Sequence, residues 1–435
     1  WIAGRAGNLQ MMSMSFYNNQ KLKYINLPDS LLTFGYATFA YTAIEHLTVP
    51  AGIYAINWGD LAEMKQLRTV DFKGYSTSYL ESYWLEGCTS LEKVTLPPNL
   101  KEVPSYLFAE CASLKTVLFD VYPADYPVEA KRGKSDLETI ESGAFDKCLS
   151  LETLGLKQYA MGENPKNVLP DGLKTLSDKA LYGLVSLKSI VLPATIDKIG
   201  KSAFAYSGIE KVEFKTYPSD YAEETKRGKS DLTSIGDFAF ESTKLTSFVF
   251  PESTADNIII GQLVFKRCDM LASIAYSNSV KYGLGHVLNG THNVTTVTYP
   301  EGYDEFNDIS GITYNKDGNT VVYVGTKIAQ KTFVVPAHVT AIGDYAFKGQ
   351  TEITKILIPS TLQSIGNGAF FGNSSLTEIF FYKTKVDGSG NTVADLDGDN
   401  EYQKAAIIDL RVISQGAFAY CASLTDFVIP NAITA

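Results

Sequence analysis

The stretch "LKSIVLPATIDKIGKSAFAYSGIEKVEF", Leu187–Phe214, decides the fold. It opens with Leu187, Ile190 and Leu192, reaches Pro193, continues through Ile196 and Ile199 to Phe204, and begins again at Ile209. The same frame recurs as Leu91, Val94, Leu96, Pro97, Leu100, Val103, Phe108, Cys111 and Leu114, and as Ile353, Ile356, Ile358, Pro359, Leu362, Ile365, Phe370 and Leu376. These two blocks share identical offsets over a period of about 23 residues, the signature of a repeat architecture. The L-x-x-[VI]-x-L start alternates like a strand whose last apolar residues point one way. The Pro has no N–H and ends the ladder. In the later A-F-x-x-C the apolar residues stand three apart, which predicts a helical or 3₁₀ turn.

About fourteen such units can be placed by the aromatic or leucine of that segment: Phe16, Phe39, Leu61, Leu85, Phe108, Phe145, Leu181, Phe204, Phe240, Phe265, Leu288, Phe347, Phe370 and Phe418. One unit cannot bury its apolar face alone. Neighbours must stack, sharing a core and a parallel ladder. The expected fold class is therefore α/β but β-rich: a right-handed solenoid of ~23-residue units with hairpin insertions, running as a single solenoid over 1–435 that starts and ends in mid-repeat. The period blurs over 272–335, an irregular segment within it.

With its recurring P-x-x-[LI]-x-x-I-G-x-x-A-F signature, the opening stretch resembles the BspA-type leucine-rich repeat, a family of surface and secreted proteins of oral and gut bacteria with relatives in parasitic protists. The resemblance covers nearly the whole chain. The segment "GITYNKDGNTVVYVGTKIAQKTFVVPAHVTAIGDYAF", Gly311–Phe347, is similar to the hairpin-then-repeat segments of that family. The resemblance implies a cell-surface or extracellular location and adhesion to host extracellular-matrix proteins, other cell-surface proteins or glycans. The start "WIAGRAGNLQ" carries neither Met nor export signal, so the expectation is a trimmed segment from which the export signal has been removed.

Insertions interrupt the repeat between units, at 120–136, 215–231 and 382–409. The first two carry the same heptapeptide, "KRGKSDL", at Lys131–Leu137 and Lys226–Leu232. Its Gly-Lys-Ser resembles the tail of a phosphate-binding loop. That motif needs a Gly where Val128 and Glu223 stand, and a helix where Leu-x-x-Ile restarts the repeat. The heptapeptide reads instead as duplicated architecture, with the Gly at a bend. Each copy also brings two tyrosines and a basic trio: Tyr122, Tyr126, Lys131, Arg132 and Lys134, then Tyr217, Tyr221, Lys226, Arg227 and Lys229. Tyr and Arg favour binding patches, and these ten are the candidate contact residues. A merely solvated loop has the same composition.

Catalytic and cofactor signatures are sparse. The five cysteines, Cys88, Cys111, Cys148, Cys268 and Cys421, each lie three residues after the Phe or Leu of their unit. That is a packing slot, which favours small hydrophobic thiols, although stacked neighbours could also form a disulfide. Asp395, Asp397, Asp399 and Glu401 alternate like a calcium loop, but position twelve of that loop is Ala406. The four histidines, His46, His286, His292 and His338, form no H-E-x-x-H pair. No enzyme activity, cofactor or metal is expected.

The 435 residues are 45% apolar and 20% charged, with a formal net charge of −10. Such an acidic balance argues against a nucleic-acid partner. The longest apolar stretches, such as Ile258–Phe265, fall short of the roughly 20 residues a membrane helix needs. Two non-enzymatic readings stand: a binding module, with residues such as Lys23, Tyr24, Asn26, Lys93, Thr95, Lys115 and Thr116 facing solvent, and a structural spacer that holds another domain away from a cell surface.

Overall fold

The structure is a computed structural model. It describes residues 9–432 apart from 55, 75–76, 161–165, 282–286, 289–290, 292–293, 295, 302–305, 310–311, 316, 325–330, 397–402 and 430, with backbone alone at 306–309 and 431–432. The chain divides into two units, Trp1–Val280 and Lys281–Ala435.

In the first unit the repeats build two parallel ladders. The L-x-x-[VI]-x-L segments form the longer rungs: His46–Val49, Thr69–Phe72, Lys93–Leu96, Thr116–Phe119 and Thr153–Leu156 make one five-stranded parallel sheet. Ser189–Leu192 and Lys211–Phe214 pair in the same register farther along, Ile190 with Val212 and Leu192 with Phe214. The second extended pieces form shorter rungs. Six two-residue strands, from Glu102–Val103 to Ile259–Ile260, stack in chain order. Parallel pairing in unbroken order is what a chain coiling at a fixed period produces.

The repeat positions are the core. Leu91, Val94, Leu96, Leu100, Val103, Phe108, Cys111 and Leu114 are all buried. Phenylalanines of successive turns stack, Phe108 on Phe145 at 5.4 Å and Phe204 on Phe240 at 5.0 Å between ring centres.

The corner that carries the Phe differs from expectation. In place of a helical turn it is a pair of tight turns flanked by left-handed residues. Around Phe204 these are Ser202 (φ 53°) and Tyr206 (φ 59°), and around Phe108 they are Tyr106 and Glu110. The reason lies in the hydrogen bonds. The N–H groups of Ser202, Phe204 and Tyr206 donate to the carbonyls of Asp237, Ala239 and Glu241 in the next turn, at 2.8–2.9 Å. The alternate N–H groups, of Ala203, Ala205 and Ser207, close locally. A helix would spend every N–H within its own turn. Reversing alternate peptides requires φ > 0 and costs roughly 1–2 kcal/mol per non-Gly residue, which the bonds between turns offset.

One rung is made by a side chain. Between the strands Thr153–Leu156 and Ser189–Leu192, Asn167 accepts from the N–H of Leu154 through Oδ1 (3.0 Å) and donates through Nδ2 to the carbonyl of Ser189 (2.9 Å). Its own carbonyl accepts from Val191, and Val168 bridges to Val191. The amide of Asn167 thus replaces a peptide group where chain has been inserted. Gly155 leaves room for it, since a Cβ there would stand 2.7 Å from the Val168 nitrogen.

The second unit has the same coil. Thr332–Val334, Lys355–Pro359, Glu378–Tyr382 and Asp426–Phe427 form one parallel ladder. In the other, Ala341–Ile342, Ser364–Ile365 and Val412–Ile413 stack in parallel. Ahead of them, Ile312–Asn315 and Thr320–Val324 pair antiparallel, the hairpin expected before the repeat. Phe347, Phe370 and Phe418 stack at 4.9 and 5.0 Å.

Candidate functional site

The insertion at 382–409 contains a true hairpin, Thr384–Val386 against Thr392–Ala394. Those at 120–136 and 215–231 do not. They are compact loops, each with a short 3₁₀ turn, Glu129–Lys131 or Glu224–Lys226, and a single bridge, Tyr122 to Arg132 or Tyr217 to Arg227. Both return along the preceding turn, where the N–H of Asp136 donates to the carbonyl of Pro98 and that of Asp231 to the carbonyl of Ala194. Gly133 and Gly228 sit at the bend with φ near +70°, and a Cβ at either position would meet no atom within 4 Å. They serve the backbone conformation and not a phosphate.

The two loops are held alike. Tyr122 is buried, and its hydroxyl donates to Asp136 Oδ2 at 2.7 Å. Lys131 Nζ reaches the same oxygen at 2.6 Å and lies 5.0 Å above the Tyr122 ring. Tyr126 packs on Tyr122 with ring centres 4.4 Å apart, and Arg132 Nε donates to the carbonyl of Tyr126. In the second loop Tyr217, Asp231, Lys226, Tyr221 and Arg227 repeat each contact, the hydroxyl of Tyr217 lying 2.6 Å from Asp231 Oδ2. Burial and the Asp136 hydrogen bond push the Tyr122 phenol up to about 12, and burial and the Asp231 hydrogen bond raise Tyr217. The Asp136 hydrogen bond also raises Lys131.

Of the ten candidate contact residues, Tyr122 and Tyr217 therefore lie in the packing of their own loops. Lys131 and Lys226 are half-buried on an aspartate, and Tyr126 and Tyr221 are half-buried against a ring. Arg132, Lys134 and Arg227 are exposed, while Lys229 is partly so. Sequence reading passed over Asp136 and Asp231, which anchor both the Tyr and the Lys. The signal was present, because both copies of the heptapeptide contain the Asp. An open cleft of about 440 Å³ lies beside the first loop, lined by Asp71, Thr95, Pro97, Asp120, Pro123 and Lys157 among others.

The cysteines have one role. Each thiol donates to the carbonyl of the Phe-position residue one turn back: Cys88 to Leu61, Cys111 to Leu85, Cys148 to Phe108, Cys268 to Phe240 and Cys421 to Phe370, at 3.0–3.2 Å. No disulfide joins them among the described residues. Burial pushes the Cys88 thiol up to about 12 and Cys268 to about 11, so these thiols are poor nucleophiles. No group of three or more His, Cys, Asp or Glu among the described residues is arranged to hold a metal ion. Asp395 pairs with Lys385, whereas Asp397, Asp399 and Glu401 lie outside the described residues, as do His286 and His292. His46 bonds Thr69, and His338 lies against the Tyr314 ring. Among the described residues no helix is long and apolar enough to cross a membrane.

Coiled parallel ladders over a leucine and phenylalanine core define a leucine-rich-repeat β-solenoid. The BspA-type leucine-rich repeat region matches in six copies, over residues 10–121, 159–225, 224–310 and 323–435, and the chain belongs to that family. Similar solved structures include a leucine-rich cell surface protein from Faecalibacterium prausnitzii, 19% identical over 87% of this chain and 80% of that one, with a TM-score of 0.43. Another is a leucine-rich repeat protein from Bacteroides ovatus, 20% identical over 86% of this chain and 65% of that one, TM-score 0.32. The pneumococcal vaccine antigen PcpA is 19% identical over 77% of this chain and 60% of that one, TM-score 0.33. No curated protein matches the chain.

Proposed function

We propose that this chain is a non-enzymatic binding protein of the cell surface or extracellular space, whose repeat scaffold presents projecting loops to a protein or glycan partner. Family membership supports the location, and the name of the Faecalibacterium protein agrees with it. The observation that carries the binding reading is the pair of loops at 120–136 and 215–231. They fold alike: each is held by a Tyr–Lys–Asp cluster, and the carbonyl of its second tyrosine, Tyr126 or Tyr221, accepts from the Nε of the exposed arginine. A rigid loop presenting Arg loses little entropy on binding. Among the described residues the repeat interior is filled by packed apolar side chains.

The test is an array of extracellular-matrix proteins, cell-surface proteins and glycans probed with the chain and with an Arg132→Ala/Lys134→Ala/Arg227→Ala/Lys229→Ala variant. Capture of a partner by the parent chain and at least about tenfold weaker capture by the variant supports the reading. Silence across the array favours the spacer. One observation speaks for that alternative: adjacent turns are laced by exposed ion pairs such as Arg68–Glu92, Lys174–Glu138 and Lys188–Glu210, the bland surface a spacer needs.

A further inference from the structure

The Phe-bearing corners carry a second surface, in the first turns and away from the insertions. Tyr36, Trp58, Tyr83 and Tyr106 come from four consecutive turns and stand in a row. Tyr36 stacks on Trp58 at 5.4 Å, Trp58 meets Tyr83 edge-on at 6.1 Å, and Tyr83 stacks on Tyr106 at 5.0 Å. Trp58 is 48% exposed and Tyr36 42%, a large aromatic area to leave in water.

The same corner in later turns handles its rings differently. Tyr83 and Tyr106 sit two residues before the Leu or Phe of their turn; so do Phe238 and Tyr345. Phe238 lies beneath two lysines, Lys201 and Lys266, at 5.9 and 5.3 Å, and Tyr345 lies beneath Lys348 at 5.2 Å. These lysines come from three places: the residue after the Phe of the same turn, the residue after the Phe of the next turn, and the residue three before the Phe of the preceding turn. Around Tyr83 those places hold Glu86, Ala109 and Trp58; around Tyr106 they hold Ala109, Asp146 and Ser82. Among the described residues no lysine lies over any ring of the row. The charge that acts on Tyr83 is negative. Glu86 acts on Tyr83 and on Tyr41, and it has no ion pair among the described residues. Its own carboxyl is raised by burial and by Glu110 and Glu63, against the opposing charge of Lys147, which is itself paired with Glu110.

We propose that the row Tyr36–Trp58–Tyr83–Tyr106 is a docking surface for a lysine- or arginine-rich segment of a protein partner, which supplies here the cations that the chain itself supplies over Phe238 and Tyr345. Charge complementarity selects this occupant, because an aromatic row that exposes Trp58 and Tyr36, beside a carboxylate with no ion pair among the described residues, favours a cation over an anion or a neutral group. A neutral glycan fits less well, since it gains nothing from the Glu86 carboxylate beside Tyr83. This surface is separate from the insertion loops, and its test does not depend on theirs.

The experiment is calorimetric titration of the chain with a short oligo-arginine peptide, with a neutral oligosaccharide as a second ligand. Trp58→Ala/Tyr83→Ala leaves the net charge unchanged and should weaken peptide binding about tenfold. Glu86→Lys places a lysine where Lys348 stands at its own turn and should abolish binding by capping Tyr83 from within. Arg132→Ala/Arg227→Ala should leave it unchanged. Each variant is checked for an unaltered circular dichroism spectrum and melting point. Peptide binding that is absent from the parent chain, or equal in the parent and the Trp58→Ala/Tyr83→Ala variant, overturns the proposal. So does binding of the oligosaccharide at this row in place of the peptide.

Discussion

Asp60 shows how far a single residue can depart from the repeat. It stands immediately before the Leu of its turn, where seven other turns have Ala, as in Ala203-Phe204. The side chain is fully buried. Its Oδ2 accepts from the N–H of Asn57 at 2.7 Å, and Oδ1 has no partner among the described residues. Burial raises the carboxyl to about 8, against the lowering effect of the Asn57 and Thr38 N–H groups, with the Glu81 charge adding to the rise. A folded pKa above the unfolded value of roughly 4 means that the folded state holds the proton more tightly. Stability contributed by that proton is complete below pH ~4, declines as pH rises toward 8, and is flat beyond. Thermal unfolding between pH 5 and 9 should therefore show a falling midpoint that Asp60→Asn flattens. The thiols give a second expectation at this scale. Cys88, Cys111, Cys148 and Cys268 are buried and Cys421 is half-buried, so an alkylating reagent should modify Cys421 first in the folded chain and all five only after denaturation. Rapid labelling of Cys111 in the native state would contradict the packing role.

At the scale of the element, the corner and the side-chain rung are the parts that sequence periodicity did not reveal. Phe-x-x-Cys spacing is equally compatible with a helix, because both geometries bring residues three apart to one side. What distinguishes them is where the N–H groups go, and their acceptors lie in the next turn. Gly183 and Gly200 separate the two constraints of the corner. Gly183 has φ +73° with nothing near a Cβ, so Gly183→Ala should cost about 1 kcal/mol for conformation alone. Gly200 would set a Cβ 2.6 Å from the Asp178 nitrogen, so Gly200→Ala should cost more, since backbone must move. Urea titration of the two variants measures the difference. Asn167→Ala removes the rung and leaves the Leu154 N–H and the Ser189 carbonyl without it, a loss of about 2–3 kcal/mol in the same assay.

At the scale of the whole molecule, stability within each unit comes from each turn bearing on its neighbours. Phe204 stacks on Phe240, and its N–H bonds to Ala239 of the following turn. Phe204→Ala should cost about 3–5 kcal/mol. In a stacked array the loss should be felt first in the adjoining turns, and hydrogen exchange should show their amides opening ahead of distant ones. Uniform acceleration throughout Trp1–Val280 would instead mean that the unit unfolds as one block.

The sequence by itself determined the repeat, the residues of the core and the structural place of the cysteines. Those depend on a period of apolar residues, and a period is local information. Leu91 to Leu114 could be assigned to the interior from spacing alone, and all the repeat positions among them are buried. Tertiary structure alone decided that Tyr122 turns inward onto Asp136 while Arg132 stays outside, that Asn167 stands in for a strand, and that Tyr36, Trp58, Tyr83 and Tyr106 form one row. The physical reason is common to all three. Each depends on partners that the coil brings from another turn or from the far end of an insertion, and a local period of apolar residues does not say which residues those partners are.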